Sequence, residues 1–174
     1  MIKSPQTKKG FTLVETLVAI MVLMITIAGA FVVTNQGLLV AVGTRNQMTA
    51  YFLAQDAMEY IKNIRDTNRS NGVNWLSMID NCLSGTPCKV SSMRLPSNDG
   101  IQSCPSVNGC DVYIDATGYQ QRDVTSQKTL FGRMFFLENT TNPRERKVVV
   151  VVSWKELAVP YEIRLVNYIF DISL

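Results

Sequence analysis

Hydrophobic and polar positions divide this chain into three unequal stretches. From Thr16 to Thr44 no residue is charged, and Leu17–Val33 is apolar apart from Thr26 and Gly29. As a helix, those seventeen residues rise about 25 Å, a little short of a hydrocarbon core of about 30 Å. Extending the run back to Phe11–Leu13, or onward through the weakly polar Thr34–Val42, makes the span comfortable. Helix is the expected state, because backbone in lipid must satisfy its own hydrogen bonds.

The second stretch changes from continuous to periodic. Met48, Tyr51, Ala54 or Gln55, Met58 and Ile61 recur at three- and four-residue spacing, with Ala50, Ala57 and Ile64 alongside. Gln47, Asp56, Glu59, Lys62 and Asp66 mark the opposite side, where Lys62 is placed to reach Glu59 and Asp66. An amphipathic helix is therefore expected to continue to about Asp66, with a stop at Asn71-Gly72. Its apolar stripe is expected to carry the chain's own sheet over one stretch and partner helices over another.

The third stretch reads as strands. Cys110–Ile114, Leu130–Glu138, Lys147–Trp154 and Tyr161–Phe170 are rich in β-branched and aromatic residues, most densely in the five valines 148–152. The connections over 139–146 and 155–160 are short enough for hairpins. Helix first and antiparallel meander last predicts an α+β fold, with the sheet packed on the later half of the helix.

Composition and charge narrow the function classes. The formal charge of +3 comes from Lys3, Lys8 and Lys9; without them fourteen basic residues face fourteen acidic ones. Nucleic-acid binding thus has no global electrostatic support, and the run Arg144-Glu145-Arg146-Lys147 reads as a solvated hairpin tip. There is no histidine, the commonest general base and metal ligand. No cofactor, metal or catalytic constellation is expected, and the chain is not read as an enzyme. Cys82/Cys88 and Cys104/Cys110 form two C-x5-C pairs in a Ser-, Pro-, Asn- and Gly-rich region. That gap is not a zinc knuckle, although four thiolates can hold zinc; in an oxidising compartment disulfides are favoured, and local pairing is preferred over the two crossed alternatives.

The amino terminus holds the most specific signal. Three lysines and no acid occupy residues 1–10, and a lone acid, Glu15, follows inside the apolar run. An unpaired charge at the middle of a membrane helix costs roughly 2.5–3.5 kcal/mol, so Glu15 asks for a partner. An ordinary secretory signal ending near Ala28-Gly29-Ala30, or a plain anchor, gives it none. Lys9-Gly10-Phe11-Thr12-Leu13-Val14-Glu15, followed by Thr16-Leu17-Val18-Ala19-Ile20, resembles the signal of type IV prepilins and pseudopilins. The resemblance covers about the first thirty residues. It implies cleavage after Gly10 by a prepilin peptidase, N-methylation of Phe11, and Glu15 at the acidic fifth mature position, where it meets the Phe11 amine of a neighbouring subunit. Many family members carry a proline where this chain has Val32; Gly29, Gly37 and Gly43 are the helix-weakening positions here.

The resemblance also implies an organisation. A basic leader (1–10) precedes a transmembrane or filament-core helix (11–44), its amphipathic continuation (45–70), a disulfide-bearing loop region (71–110) and an antiparallel sheet (111–174). Tyr51–Glu59 with Ile64-Arg65-Asp66 resembles minor pilin-like proteins. The expected partners are the peptidase, other pilin subunits and an inner-membrane assembly platform. The precursor is expected to cross the prokaryotic inner membrane once, with its C-terminus outside, and to end in an extracellular or periplasmic filament. Two other readings stay open: a tip adhesin or DNA- or cargo-binding pilin, and an uncleaved single-pass sensor or anchor.

Overall fold

The computed structural model describes residues 10–90, 100–104, 110–116, 118–121 and 126–172; the expected leader, apart from Gly10, lies outside them. Among the described residues are one helix and seven strands. The helix α1 (Leu13–Ser70) ends where the sequence signals a stop. Gly72 takes a left-handed φ of 69°, and Val73 N donates to Asn68 O, closing the last turn as a glycine C-cap does. The chain divides into two units at Thr44/Arg45, and each is described by itself.

In the first unit, α1 is unbroken through Gly29, Gly37 and Gly43. Its large apolar side chains from Phe11 to Val42 are all exposed, and among the described residues α1 is the helix long and apolar enough to cross a membrane. The threonines do not spoil that face. Thr16, Thr26, Thr34 and Thr44 donate their hydroxyls to the carbonyls of Leu13, Leu23, Ala30 and Val40 at 2.8–2.9 Å. Each donor is thus satisfied within the helix, as a lipid surround demands.

In the second unit, the sheet packs on α1 from Ala50 onward. The buried residues of α1 are Ala50, Leu53, Ala54, Ala57, Met58, Tyr60, Ile61, Ile64 and Asn68. Ala50, Ala54, Ala57, Met58, Ile61 and Ile64 were all expected in the stripe, whereas its Met48 and Tyr51 are exposed and lie outside the part the sheet covers. The three alanines let the sheet approach closely. Asp66 likewise pairs with Arg65 at 2.7 Å, on the adjacent residue rather than through the expected Lys62.

The strands are β1 (Cys88–Val90), β2 (Ile101–Ser103), β3 (Asp111–Asp115), β4 (Gly118–Gln120), β5 (Gln127–Asn139), β6 (Glu145–Glu156) and β7 (Val159–Phe170). All their pairings are antiparallel. The expected meander is β5-β6-β7. The other edge of β5 is shared end to end by two hairpins: β3, paired with β4, lies opposite Gln127–Gly132, and β1, paired with β2, meets Phe135. Thus β1 and β2 fall within the segment expected to be loop, and β4 was not anticipated. Each is three residues long, too short to display a period.

The valine run is explained by its central position. Val148, Val150, Val152 and Trp154 face the helix and join the core. Val149 and Val151 point the other way and are buried too, beside their cross-strand partners Phe136, Val166 and Met134. A strand covered on both faces needs no polar alternation.

Two residues join β6 to β7, Leu157 at φ 47° and Ala158 at φ 72°. A two-residue hairpin of this hand suits Asn-Gly, because other L-residues are strained there. Replacing Ala158 with glycine is therefore expected to stabilise the domain by up to about 1 kcal/mol. A higher urea midpoint at unchanged slope would report it.

Candidate functional site

Helix initiation sets the geometry at the amino-terminal segment. Gly10 and Phe11 precede α1 without regular structure and are exposed, so the Gly10–Phe11 bond is accessible. Thr12 caps the helix. Its carbonyl accepts from Glu15 N at 3.1 Å and Thr16 N at 3.2 Å, and its Oγ1 accepts from Glu15 N at 3.3 Å. Thr12-x-x-Glu15 has the spacing of a capping box, and Glu15 lies in the first helical turn. Glu15 thus stands in a helix-start pattern that the membrane argument passed over. A carboxylate there also meets the positive end of the helix dipole, an interaction of about 0.3–1 kcal/mol.

The four cysteines lie together in the second unit, away in sequence from that segment. Cys82 is bonded to Cys88 and Cys104 to Cys110, each pair with Cα atoms 5.5 Å apart, and all four are buried. They tie down the two hairpins on the edge of β5. Cys104 N donates to Pro87 O at 2.8 Å, Leu137 N to Cys82 O at 2.6 Å, and Arg133 N to Cys110 O at 2.9 Å.

Between the two hairpins sits a buried polar cluster that the sequence reading missed. Arg133 on β5 is wholly buried, as is Gln121 after β4. The Arg133 guanidinium donates through Nη1 to Asp56 Oδ2 at 2.6 Å and Leu53 O at 3.0 Å. It also donates through Nη2 to Val90 O at 2.8 Å and through Nε to Gln121 Oε1 at 2.9 Å. Gln121 completes the gap in the ladder. Its Nε2 donates to Cys110 O and Arg133 O at 2.8 and 2.6 Å, and its Oε1 also accepts from Val90 N at 3.3 Å. The amide therefore makes all four hydrogen bonds open to it. Burial pushes the Arg133 guanidinium below its ordinary value while Asp56 pulls it back up. From so high a starting point it stays charged. The cluster joins helix, both hairpins and β5, and its charge has no opening to a ligand: its role is architectural.

The charge run after β5 is likewise engaged internally. Arg144 reaches Asp171 Oδ2 at 3.8 Å, Lys147 reaches Glu138 at 2.9 Å, and Arg146 donates to the carbonyls of Pro143 and Glu145. Arg69 also bonds Asp171, tying the end of α1 to the end of β7. Among the described residues no group of three His, Cys, Asp or Glu side chains is arranged to hold a metal ion.

Residues 6–31 match the family model of the prokaryotic N-terminal methylation motif. Comparison with curated proteins and with solved structures gave no significant match. The matched residues include Gly10, Phe11 and Glu15, together with the capped start of α1.

Proposed function

From a type IV prepilin-like amino-terminal segment on a chain of α+β, pilin-like arrangement, we propose that the protein is a filament subunit of the minor-pilin or pseudopilin kind. In this reading a prepilin peptidase cuts after Gly10 and Phe11 is N-methylated. An inner-membrane assembly platform then draws the chain into a type IV pilus-like or type II secretion-like filament with other pilin subunits. The protein carries out no chemistry itself. Before assembly it crosses the inner membrane once, with Arg45–Leu174 outside.

The observation that carries the reading is the coincidence of the methylation motif with an exposed Gly10–Phe11 junction and a capped apolar helix. Two further features support it. The hydroxyls within the apolar run are satisfied internally, which suits transfer between lipid and a protein core. Beyond that run Met48, Tyr51 and Phe52 stay exposed, leaving apolar surface for partner helices.

Mass spectrometry of the protein purified from its host tests the proposal. The expected chain starts at N-methylated Phe11, lacking residues 1–10. An intact chain beginning at Met1, in a host whose peptidase processes other prepilins, would sink the filament reading in favour of an uncleaved anchor.

A further inference from the structure

Strand β7 is an edge of the sheet: among the described residues it pairs with β6 and with no other strand. Its register shows which backbone groups are left over. In an antiparallel ladder, residues alternate between pairs that exchange both hydrogen bonds and pairs that exchange none. Pro160, opposite Lys155, has no N–H to exchange, whereas Asp171 N donates to Arg144 O where the same ladder continues past the far end of the strand. Odd-numbered residues of β7 therefore bond β6, and Glu162, Arg164 and Val166 turn their N–H and C=O groups outward.

The open stretch has defined ends. Pro160 offers no donor at one end, and at the other Tyr168 N is taken by Asn167 Oδ1 at 2.8 Å. Between them, no described group takes the N–H of Glu162, Arg164 or Val166. Native edges are commonly blunted by short length, bulges or lysines. β7 is twelve residues long, keeps one register against β6 throughout, and carries no lysine.

Side chains on both faces of this edge lack a neighbour. Away from the helix, Val149 and Val151 on β6 are buried between β5 and β7, while Val166, with β6 on one side alone, is 46% exposed. Toward the helix, a groove of about 630 Å³ runs between α1 and β7. Phe52, Gln55, Met58 and Glu59 bound it on the helix, and Leu165 and Asn167 on the strand. A strand laid along β7 covers Val166 with one set of alternate side chains and sends the other set into the groove.

We propose that residues 161–167 are a strand-addition site for an extended segment of another protein, paired antiparallel, the more stable arrangement per residue. Charge sets the pattern of that segment. Glu162 and Arg164 are exposed on the outer face, so the segment carries an acid opposite Arg164 and, two residues later, a base opposite Glu162. The residue before the acid lies opposite Leu165 and is apolar, resting in the groove against Leu165 and Phe52. β7 of a second copy has the same acid-x-base order. The register that matches those charges, however, sets Val166 opposite Pro160, which lacks the donor that the Val166 carbonyl needs. A foreign segment meets no such obstacle. The site lies wholly within Arg45–Leu174 and goes beyond the filament reading without depending on it.

The test uses the full isotope-labelled chain in detergent micelles with the peptide acetyl-Thr-Val-Leu-Glu-Val-Lys-Thr-amide, read by amide hydrogen exchange. Saturating peptide is expected to slow exchange at Glu162, Arg164 and Val166 by about tenfold or more and to leave Tyr168 unchanged. Interchanging the glutamate and lysine of the peptide should weaken binding several-fold. Val166→Pro removes an outward donor without touching the ladder to β6, and it should abolish the slowing at Glu162 and Arg164. Unaltered signals from Val149 and Val151 would show that this variant keeps its fold. Arg164→Glu, an exposed substitution, should erase the preference between the two peptides.

Unchanged exchange at all three residues in millimolar peptide would overturn the site and leave the filament proposal standing. Exchange that is slow without peptide and speeds up on dilution would assign the edge to a second copy and overturn the foreign segment. If both peptides bind alike, or if Arg164→Glu keeps the preference of the parent, the charge pattern is wrong. A folded Val166→Pro that binds as the parent does would place the peptide somewhere other than this edge.

Discussion

Arg133→Ala is expected to destabilise the outer domain by about 3–5 kcal/mol, a large part of the 5–15 kcal/mol that holds an ordinary domain together. The variant removes four donors at once from acceptors on three other parts of the chain. Leu53 O can keep its helical partner and Asp56 can turn to water, since its side chain is 45% exposed. Val90 O has no such recourse, because its surroundings are buried, and Gln121 Oε1 keeps only its 3.3 Å bond from Val90 N. Val90 O then carries a desolvation penalty of about 1–3 kcal/mol in place of a hydrogen bond, and the deleted side chain leaves a cavity.

Arg133→Met should lose less, because its volume fills the space and spares the cavity, even though Val90 O stays unmet. Arg133→Lys should fall nearer to alanine, since one ammonium cannot reproduce a fork aimed at Val90, Gln121 and Asp56 together. Urea unfolding followed by the fluorescence of buried Trp75 and Trp154 gives the ranking. An Arg133→Ala variant within about 1 kcal/mol of the parent would show that the cluster is dispensable.

That cluster also marks the boundary of what the sequence disclosed. The apolar run, the meander and the helix stop were readable because each is local: a composition, a period or a turn signal within about fifteen residues. Arg133 sits among alternating strand residues with nothing to separate it from a solvated arginine. Its partners Leu53 and Asp56 lie 80 and 77 residues away, and Gln121 is 12 residues off across a turn. Only the end-to-end meeting of two hairpins on β5 creates the gap that these side chains fill. Where along the helix the sheet begins was hidden for a similar reason. Small alanines define it, and their value lies in how closely a sheet approaches rather than in their own hydrophobicity. At the amino terminus the position of Glu15 was legible, but half of its meaning was overlooked. Thr12-x-x-Glu15 is a local capping signal that stands in the same residues as the motif.

Glu15→Gln is expected to insert normally and fail to assemble, and it separates the assembly role proposed for Glu15 from its place at the start of the helix. Glutamine also serves at the last position of a capping box, so the start of α1 should survive. What is lost is the charge. The helix dipole offsets only about 0.3–1 kcal/mol of a penalty that reaches roughly 2.5–3.5 kcal/mol at the bilayer centre, so capping alone leaves a carboxylate unfavourable once the helix end enters an apolar surround.

In the proposed reading a positive amine on Phe11, available only after cleavage, closes the difference. At an effective dielectric of about 20, contact near 4 Å gives about 4 kcal/mol before desolvation, roughly a thousandfold in an association constant. Glu15→Ala should therefore match Glu15→Gln in sheared surface filaments, both far below the parent, while all three appear equally in the membrane fraction. Normal filaments from Glu15→Gln with defective ones from Glu15→Ala would make the cap, and not the charge, the feature assembly requires. Because a subunit's own Phe11 amine lies only four residues from its Glu15, mixed expression decides between chains. If pairing is intermolecular, Glu15→Gln subunits should enter filaments when parent subunits are present, since a parent Glu15 remains to receive their amine. If pairing is within one chain, they should stay excluded.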